Sequence, residues 1–237
     1  MNAVLNWFAD PANWSGPDGV PTRLAEHLFY TVLAVVIAAV IGIPVGLAVG
    51  HTHRGGFLVV GMANSLRALP TLGLLVLLVG FIGIGLGAPL IALVVLAVPP
   101  ILAGTYAGVQ AVDRAIVDAA RGMGMSEREV LLRVELPNAL PLVMGGVRSA
   151  TLQVVSTATI AAFVSLGGFG RYIIDGLSVR NYAEMAAGSI LVALLAVAAD
   201  LLLAGVQRSV VSPGLRLPRG ARRRRAPDAA SVATSTT

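Results

Sequence analysis

The chain has 237 residues, of which 56% are hydrophobic and only 12% are charged. Soluble globular domains usually carry about 25% charged residues, so this composition excludes an ordinary soluble protein and predicts an integral membrane protein. The formal net charge is +5, but the arginines concentrate at residues 216–225, so we assign them to a membrane surface and not to nucleic acid. The absence of cysteine excludes disulfides and thiolate metal sites.

Five apolar runs are long enough to cross a bilayer as helices, since a spanning helix needs about 20 mostly apolar residues. They lie at residues 28–50, 57–82, 88–109, 140–166 and 183–206. A sixth span stays open if the N-terminal part inserts. No basic segment precedes the first run and no cleavage site follows it, so we expect this span to be retained.

These runs predict an all-α membrane protein with one helical bundle. Residues 28–207 form its membrane domain, residues 1–27 an extracytoplasmic segment, and residues 208–237 a basic, disordered cytoplasmic tail. Within the bundle, small residues such as Gly42 and Gly46 are expected at close helix contacts.

The arginines between the spans indicate orientation, because positively charged loops stay in the cytoplasm. If the N-terminus is outside, Arg54, the four arginines of residues 113–137 and those from Arg208 onward fall inside. Three others then fall outside: Arg23, Arg171 and Arg180. We therefore predict a multi-pass protein with an external N-terminus and a cytoplasmic C-terminus.

A polar stretch at residues 111–137, called the polar connector below, separates the third and fourth runs. Four apolar residues recur at helical spacing and predict an amphipathic helix with this row as its apolar face: Val112, Ile116, Ala119 and Met123. Arg114–Asp118 and Asp118–Arg121 have the spacing of ion pairs on that helix. An ordinary amphipathic loop on the lipid headgroups is the alternative interpretation.

The second half of the polar connector predicts a turn and a short helix. Gly122 and Gly124 lack a Cβ and favour positive φ in the turn. Ser126 and Glu129 have the spacing of a capping box, which begins the second helix, and Pro137 is predicted to end it.

One spacing in this segment resembles a known signature. The residues are Asp118-Ala119-Ala120, then Gly124 after three residues, then Val134, Leu136 and Pro137. They resemble the EAA loop in the permease subunits of binding-protein-dependent ABC importers, with Asp118 where that family usually has glutamate. The resemblance implies a five-span permease bundle, possessing a cytoplasmic coupling helix, in the inner membrane of a bacterium. It assigns ATPase coupling to six residues: Asp118, Ala119, Ala120, Gly124, Leu136 and Pro137.

The same resemblance implies partners. A pair of ABC ATPase subunits would bind ATP-Mg and grip two coupling helices, while an extracytoplasmic solute-binding protein delivers the solute. A second copy or a sister permease would complete the path, surrounded by membrane lipid. The chain contains no phosphate-loop motif and no lysine, so we expect no catalytic site, metal or cofactor in this subunit.

Further segments resemble osmoprotectant permeases, which carry glycine betaine, carnitine, choline or proline betaine. They are residues 64–72, 83–85, 166–170 and 174–177. Aromatic residues make up 5% of the chain, too few for an obvious cation–π cage, so we expect a low-affinity path and selection by the binding protein. Methionine and ergothioneine remain alternatives, as do a membrane scaffold and an ion-coupled secondary transporter, which would need several intramembrane acids.

Three residues of the second run are assigned to the translocation path: Asn64, Arg67 and Pro70. A charge at membrane depth costs about 2.5–3.5 kcal/mol on insertion scales, so Arg67 requires water or a partner. The alternative is a structural arginine that binds carbonyls freed by Pro70.

Other polar and proline residues receive structural interpretations. Asp200 is expected to pair with Arg148 or Arg67, and Arg148 to extend toward the inner interface. Prolines are predicted to interrupt the first three runs: Pro44, Pro70, Pro99 and Pro100. His51 and His53 are interpreted as solvated loop residues, and residues 167–182 as an external segment that meets the binding protein or plugs the mouth.

Overall fold

The computed structural model describes residues 2–164 and 166–211, apart from the side chain of Arg67. Within these residues all regular structure is helical, which confirms the predicted fold class. The α-helices are α1 (Asn2–Ala9), α2 (Val20–Thr52), α3 (Gly56–Arg67), α4 (Thr71–Ile82), α5 (Gly87–Gln110), α6 (Arg114–Gly122), α7 (Glu127–Glu129), α8 (Leu136–Ala161), α9 (Gly170–Ser178) and α10 (Tyr182–Val210). Short 3₁₀ turns occupy Pro11–Trp14 and Ala162–Val164, and a π-helical segment occupies Val130–Glu135. Most of the expected tail lies outside the described residues.

Four described helices are long and apolar enough to cross a membrane: α2, α5, the continuous helix Glu127–Val164 and α10. The first of them begins at Val20 and not at residue 28 as predicted. The second predicted run, residues 57–82, is not one straight helix. It consists of α3 and α4, which meet at 89°. A pair bent in this way is either a broken span or a re-entrant loop, so the described spans number four or five.

The bend between α3 and α4 lies at Pro70, where φ is −67°. Proline has no amide hydrogen and disfavours the helical conformation of the residue before it. The prediction of interruptions at the other three prolines is wrong, because Pro44 lies within α2 and both Pro99 and Pro100 lie within α5. Neighbouring helices stabilise such positions in membrane proteins, and both α5 prolines are buried.

The bundle is held together by small residues. One stripe on α2 repeats every fourth residue and is buried: Ala34, Ala38, Gly42, Gly46 and Gly50. A Cβ on Gly46 would lie 2.7 Å from the Cβ of Thr105 in α5. On the other side of α5, a Cβ on Gly104 would lie 2.8 Å from the carbonyl oxygen of Leu142 in α8. Such close approach is typical of helix pairs in membranes and confirms the role predicted for Gly42 and Gly46.

The N-terminal elements pack on the same bundle. The ring of Trp7 in α1 meets the edge of Tyr172 in α9, with centroids 5.2 Å apart. Trp14 donates its indole N–H to the carbonyl of Phe8 at 2.8 Å. These contacts fix the N-terminal segment against α9 and α10 at the end of the bundle where α2 begins.

Candidate functional site: the polar connector

The polar connector forms two helices joined by a turn, as the sequence predicts. Asp113 caps α6 by accepting a hydrogen bond from the amide of Ala115 at 2.9 Å. Gly124 adopts a φ of +86°, whereas Gly122 remains helical. The predicted capping box of Ser126 and Glu129 is present, with the Ser126 amide donating to the glutamate at 3.1 Å.

The apolar row predicted for α6 is not the face that packs inward. Val117 and Ala120 are buried and contact Val130, while Ile116 and Met123 are 48% and 77% exposed. The helix carries two apolar rows, and periodicity cannot tell which one meets a partner in the same chain. Ile116 and Met123 of the predicted row are therefore available at the surface.

Charged side chains fix the turn. Arg121 donates from Nε and Nη2 to the two carboxylate oxygens of Glu127, both at 3.0 Å, and these hydrogen bonds raise its pKa. Its Nη1 also lies 3.7 Å from Asp118, so that predicted ion pair is confirmed. The predicted Arg114–Asp118 pair is not among the ion pairs of the described residues. Asp118 itself keeps a side chain that is 74% exposed.

The polar connector continues into α8 without a stop, so the prediction that Pro137 ends its second helix is wrong. The π-helical segment bridges the two helices, and the amide of Leu136 donates to the carbonyl of Leu131. Pro137 lies in the first turn of α8, a position where proline is tolerated. Glu127–Val164 is thus one helix of 38 residues.

The six residues assigned to coupling occupy different environments. Asp118, Ala119, Gly124 and Pro137 are exposed, Leu136 is half-buried, and Ala120 is buried. Ala120 therefore supports the packing of α6, whereas the exposed residues can contact another protein.

His51 is not the solvated loop residue that the sequence suggests. It lies in the last turn of α2, and its Nδ1 is 2.6 Å from Glu135 Oε2. Its Nε2 is 3.2 Å from Glu127 Oε2. His53, which ends α2, is exposed and contacts Gln110. The sequence gives no signal for the His51–Glu135 contact because the two residues are 84 positions apart.

At the opposite end of α2, two adjacent polar residues hold the segment that follows α8; we call Glu26 and His27 the clamp. Glu26 accepts a hydrogen bond from the amide of Gly168 at 2.8 Å. His27 is buried, accepts from the amide of Phe169 at 3.3 Å and contacts the carbonyl of Val155 at 3.1 Å. Sequence analysis missed the clamp entirely.

The segment held by the clamp continues into α9, which lies within the predicted external segment. Tyr172 is buried and donates its hydroxyl to the carbonyl of Asp18 at 2.6 Å. Burial raises the pKa of Tyr172 to about 12, so the hydroxyl keeps its proton. The start of this segment is therefore attached at Gly168, Phe169 and Tyr172.

The residues assigned to the path lie around the break between α3 and α4. Asn64 is exposed on α3, and Pro70 is exposed at the bend. Arg67 ends α3, and its side chain lies outside the described part of the structure.

The expected partner of Asp200 is confirmed. Arg148 donates to Asp200 Oδ1 from Nε at 3.0 Å and from Nη2 at 2.8 Å. Its Nη1 donates to Gln207 at 3.0 Å. Arg148 therefore links α8 to α10.

Comparison with known proteins identifies the family. Residues 25–214 match the model described as "Binding-protein-dependent transport system inner membrane component". The chain is 33% identical over 194 residues to the glycine betaine/carnitine/choline transport system permease protein of Bacillus subtilis, covering 82% of this chain and 89% of that protein. It is 31% identical over 191 residues to the choline transport system permease protein of the same organism, covering 81% and 88%.

The fold is also shared with a solved transporter. A chain of the MetNI methionine ABC transporter, in an inward-facing conformation, superposes with a TM-score of 0.72 at 24% identity, covering 81% of this chain and 96% of that chain. The family match over residues 25–214 and the identity with the Bacillus subtilis permeases show that the chain belongs to the inner membrane components of binding-protein-dependent transport systems.

Proposed function

We propose that this chain is the permease through which an ATP-driven importer moves quaternary ammonium osmoprotectants such as glycine betaine, carnitine or choline. The two Bacillus subtilis relatives, which are named for these solutes, support this substrate class. The likeness to the methionine transporter is one of fold. An ion-coupled mechanism would need several free acids at membrane depth, whereas Asp200 is engaged by Arg148.

The polar connector would serve as the coupling loop for a pair of ATPase subunits that bind ATP-Mg. The observation that carries this proposal is the exposed apolar row on α6, which contains Ile116 and Met123 beside the exposed carboxylate of Asp118. An apolar surface rimmed by polar groups favours a protein partner. Gly124, Leu136 and Pro137 would complete the contact, and Ala120 would support it from inside.

The continuous helix Glu127–Val164 gives a direct route from the coupling loop into the membrane. Closure of the ATPase subunits on ATP would displace the polar connector and α8 together, changing the path from inward-facing to outward-facing. Hydrolysis would reset it. A binding protein would deliver solute at the end of the bundle that carries the clamp.

The path itself would form between this chain and a second permease. The broken span of α3 and α4 leaves large apolar side chains exposed, among them Phe57 and Phe81. Asn64, Arg67 and Pro70 would line the path, because a broken helix at membrane depth is tolerated only against protein or a water-filled cavity.

Cross-linking tests the coupling surface. The chain has no cysteine, so Met123→Cys introduces a single reactive thiol. With a thiol–amine cross-linker, we expect Met123→Cys to join to the ATPase in purified complexes. Val179→Cys at the end of α9, with comparable exposure of the native residue, is the matched control and should not. Equal yields from both variants, or none from Met123→Cys, would contradict the proposal.

A further inference from the structure

The contact between α2 and the polar connector is a row of charged and polar side chains. From the connector inward, Arg121 binds Glu127 through two hydrogen bonds of 3.0 Å. Glu127 Oε2 lies 3.2 Å from His51 Nε2, and His51 Nδ1 lies 2.6 Å from Glu135 Oε2. Both nitrogens of one imidazole on α2 are therefore engaged by carboxylates of the helix Glu127–Val164, one from its first residue and one from its π-helical segment.

The π-helical segment explains why Glu135 points inward. Val130 and Glu135 are both buried, although five positions on an α-helix differ by about 140° around the axis. The wider π-helical turn brings them to the same side. Since a buried carboxylate is costly without a partner, this local distortion and the His51 contact depend on each other. Such distortions are frequent at functional sites.

His51 also lies where two spans are joined. Gln110, the last residue of α5, donates from Nε2 to the carbonyl of Gly50 at 3.0 Å. A Cβ on Gly50 would lie 2.7 Å from the Cβ of Val109, so the ends of α2 and α5 are in close contact. A force applied to His51 thus acts on the α2–α5 pair. This connection is distinct from the one that leads from the polar connector directly into α8.

We propose that His51 is a positioning residue for transport, which transmits displacement of the polar connector to the α2–α5 pair through Glu127 and Glu135. This inference rests on the coupling function proposed above. Without the contact, ATPase movement would still displace α8 while α2 and α5 lag behind. The predicted consequence is ATP hydrolysis that is not matched by solute movement.

The test uses the complete transporter, with its ATPase and binding protein, reconstituted in lipid vesicles. Radiolabelled glycine betaine uptake and ATP hydrolysis are measured together for wild type, His51→Leu, Glu135→Leu and the double variant. We expect the ATP hydrolysed per imported solute to rise about tenfold, which corresponds to about 1.4 kcal/mol, near the lower end for a hydrogen bond to a charged group. The double variant should be no worse than His51→Leu alone, because His51→Leu already removes the contact with Glu135.

His51→Gln and His53→Asn provide the controls. The glutamine amide can donate to Glu135, so His51→Gln should restore much of the coupling and also tests the idea if His51→Leu fails to fold. His53→Asn removes a histidine from the same helix end and should keep the wild-type ratio. A purely structural role would lower uptake and hydrolysis together and leave the ratio unchanged, which would overturn the inference. Coupled uptake by the wild type tests the proposed function separately.

Discussion

Single glycines determine how closely the helices of this bundle approach. At Gly46, an added Cβ would lie 2.7 Å from the Cβ of Thr105 and 3.0 Å from the backbone oxygen of Leu102. Because these neighbours belong to a buried helix, they cannot move aside cheaply. We expect Gly46→Ala to separate α2 from α5 and to cost about 1–3 kcal/mol of stability, the usual range for overpacking. The loss of stability should appear as a lower midpoint of thermal unfolding in detergent for Gly46→Ala than for the wild type.

Gly205→Ala is the matched control. Gly205 also lies in a long membrane helix, but nothing surrounds the position of its Cβ within 4 Å. Alanine favours helix over glycine by about 1 kcal/mol, so the midpoint should stay or rise. If both variants unfold at the wild-type temperature, the close α2–α5 contact is wrong.

Predictions about single residues succeeded where the chemistry of the residue itself shows that it needs a partner. Asp200 is an acid in an apolar run and needs a cation, which Arg148 provides. Glu135 also needs a polar partner, but His51 is 84 positions away. Their contact depends on a π-helical turn. No periodicity or motif contains that information.

At the scale of elements, the sequence located the apolar runs and the break at Pro70, but it also predicted interruptions that α2 and α5 do not have. Proline chemistry is the same at Pro44, Pro70 and Pro99, yet of these three only Pro70 lies at a break between helices, because α2 continues past Pro44 and α5 continues past Pro99. Whether a helix continues past a proline depends on the packing around it, which the sequence of one helix does not state. The face of α6 that packs inward is likewise decided by neighbouring elements and not by the periodicity of the helix itself.

The clamp leads to a prediction for the segment between α8 and α9. Glu26→Ala removes the carboxylate that accepts from the Gly168 amide at 2.8 Å and from Arg23 Nη1 at 2.8 Å. A hydrogen bond to a charged group contributes about 1.5–3 kcal/mol. We therefore expect the Gly168 amide to exchange its hydrogen about tenfold faster or more, measured by mass spectrometry of the purified protein.

Asp10→Ala is the control for this measurement. Asp10 also accepts a backbone hydrogen bond, from Ala12 at 2.9 Å, but this contact is confined to the N-terminal turn. Exchange at Gly168 should therefore remain as in the wild type. Unchanged exchange in Glu26→Ala would show that the carboxylate does not hold the segment.

At the scale of the whole molecule, α2 connects two polar sites. The clamp lies near its first residue and His51 in its last turn, separated by about 38 Å at 1.5 Å per residue. One site engages the segment before α9, and the other engages the polar connector. The bundle therefore has two chemically different ends, and the proposed mechanism requires that they face opposite sides of the membrane.

Labelling of single cysteines tests which end faces the cytoplasm. The connector end carries four arginines between residues 113 and 137, and positive loops remain in the cytoplasm. We expect a membrane-impermeant maleimide to label Val179→Cys in intact cells and Met123→Cys only after permeabilisation. Both native side chains are well exposed, at 72% and 77%, so unequal labelling reflects location. The cysteine-free wild type gives the background. The reverse pattern would place the polar connector outside the cell, beyond the reach of any cytoplasmic ATPase.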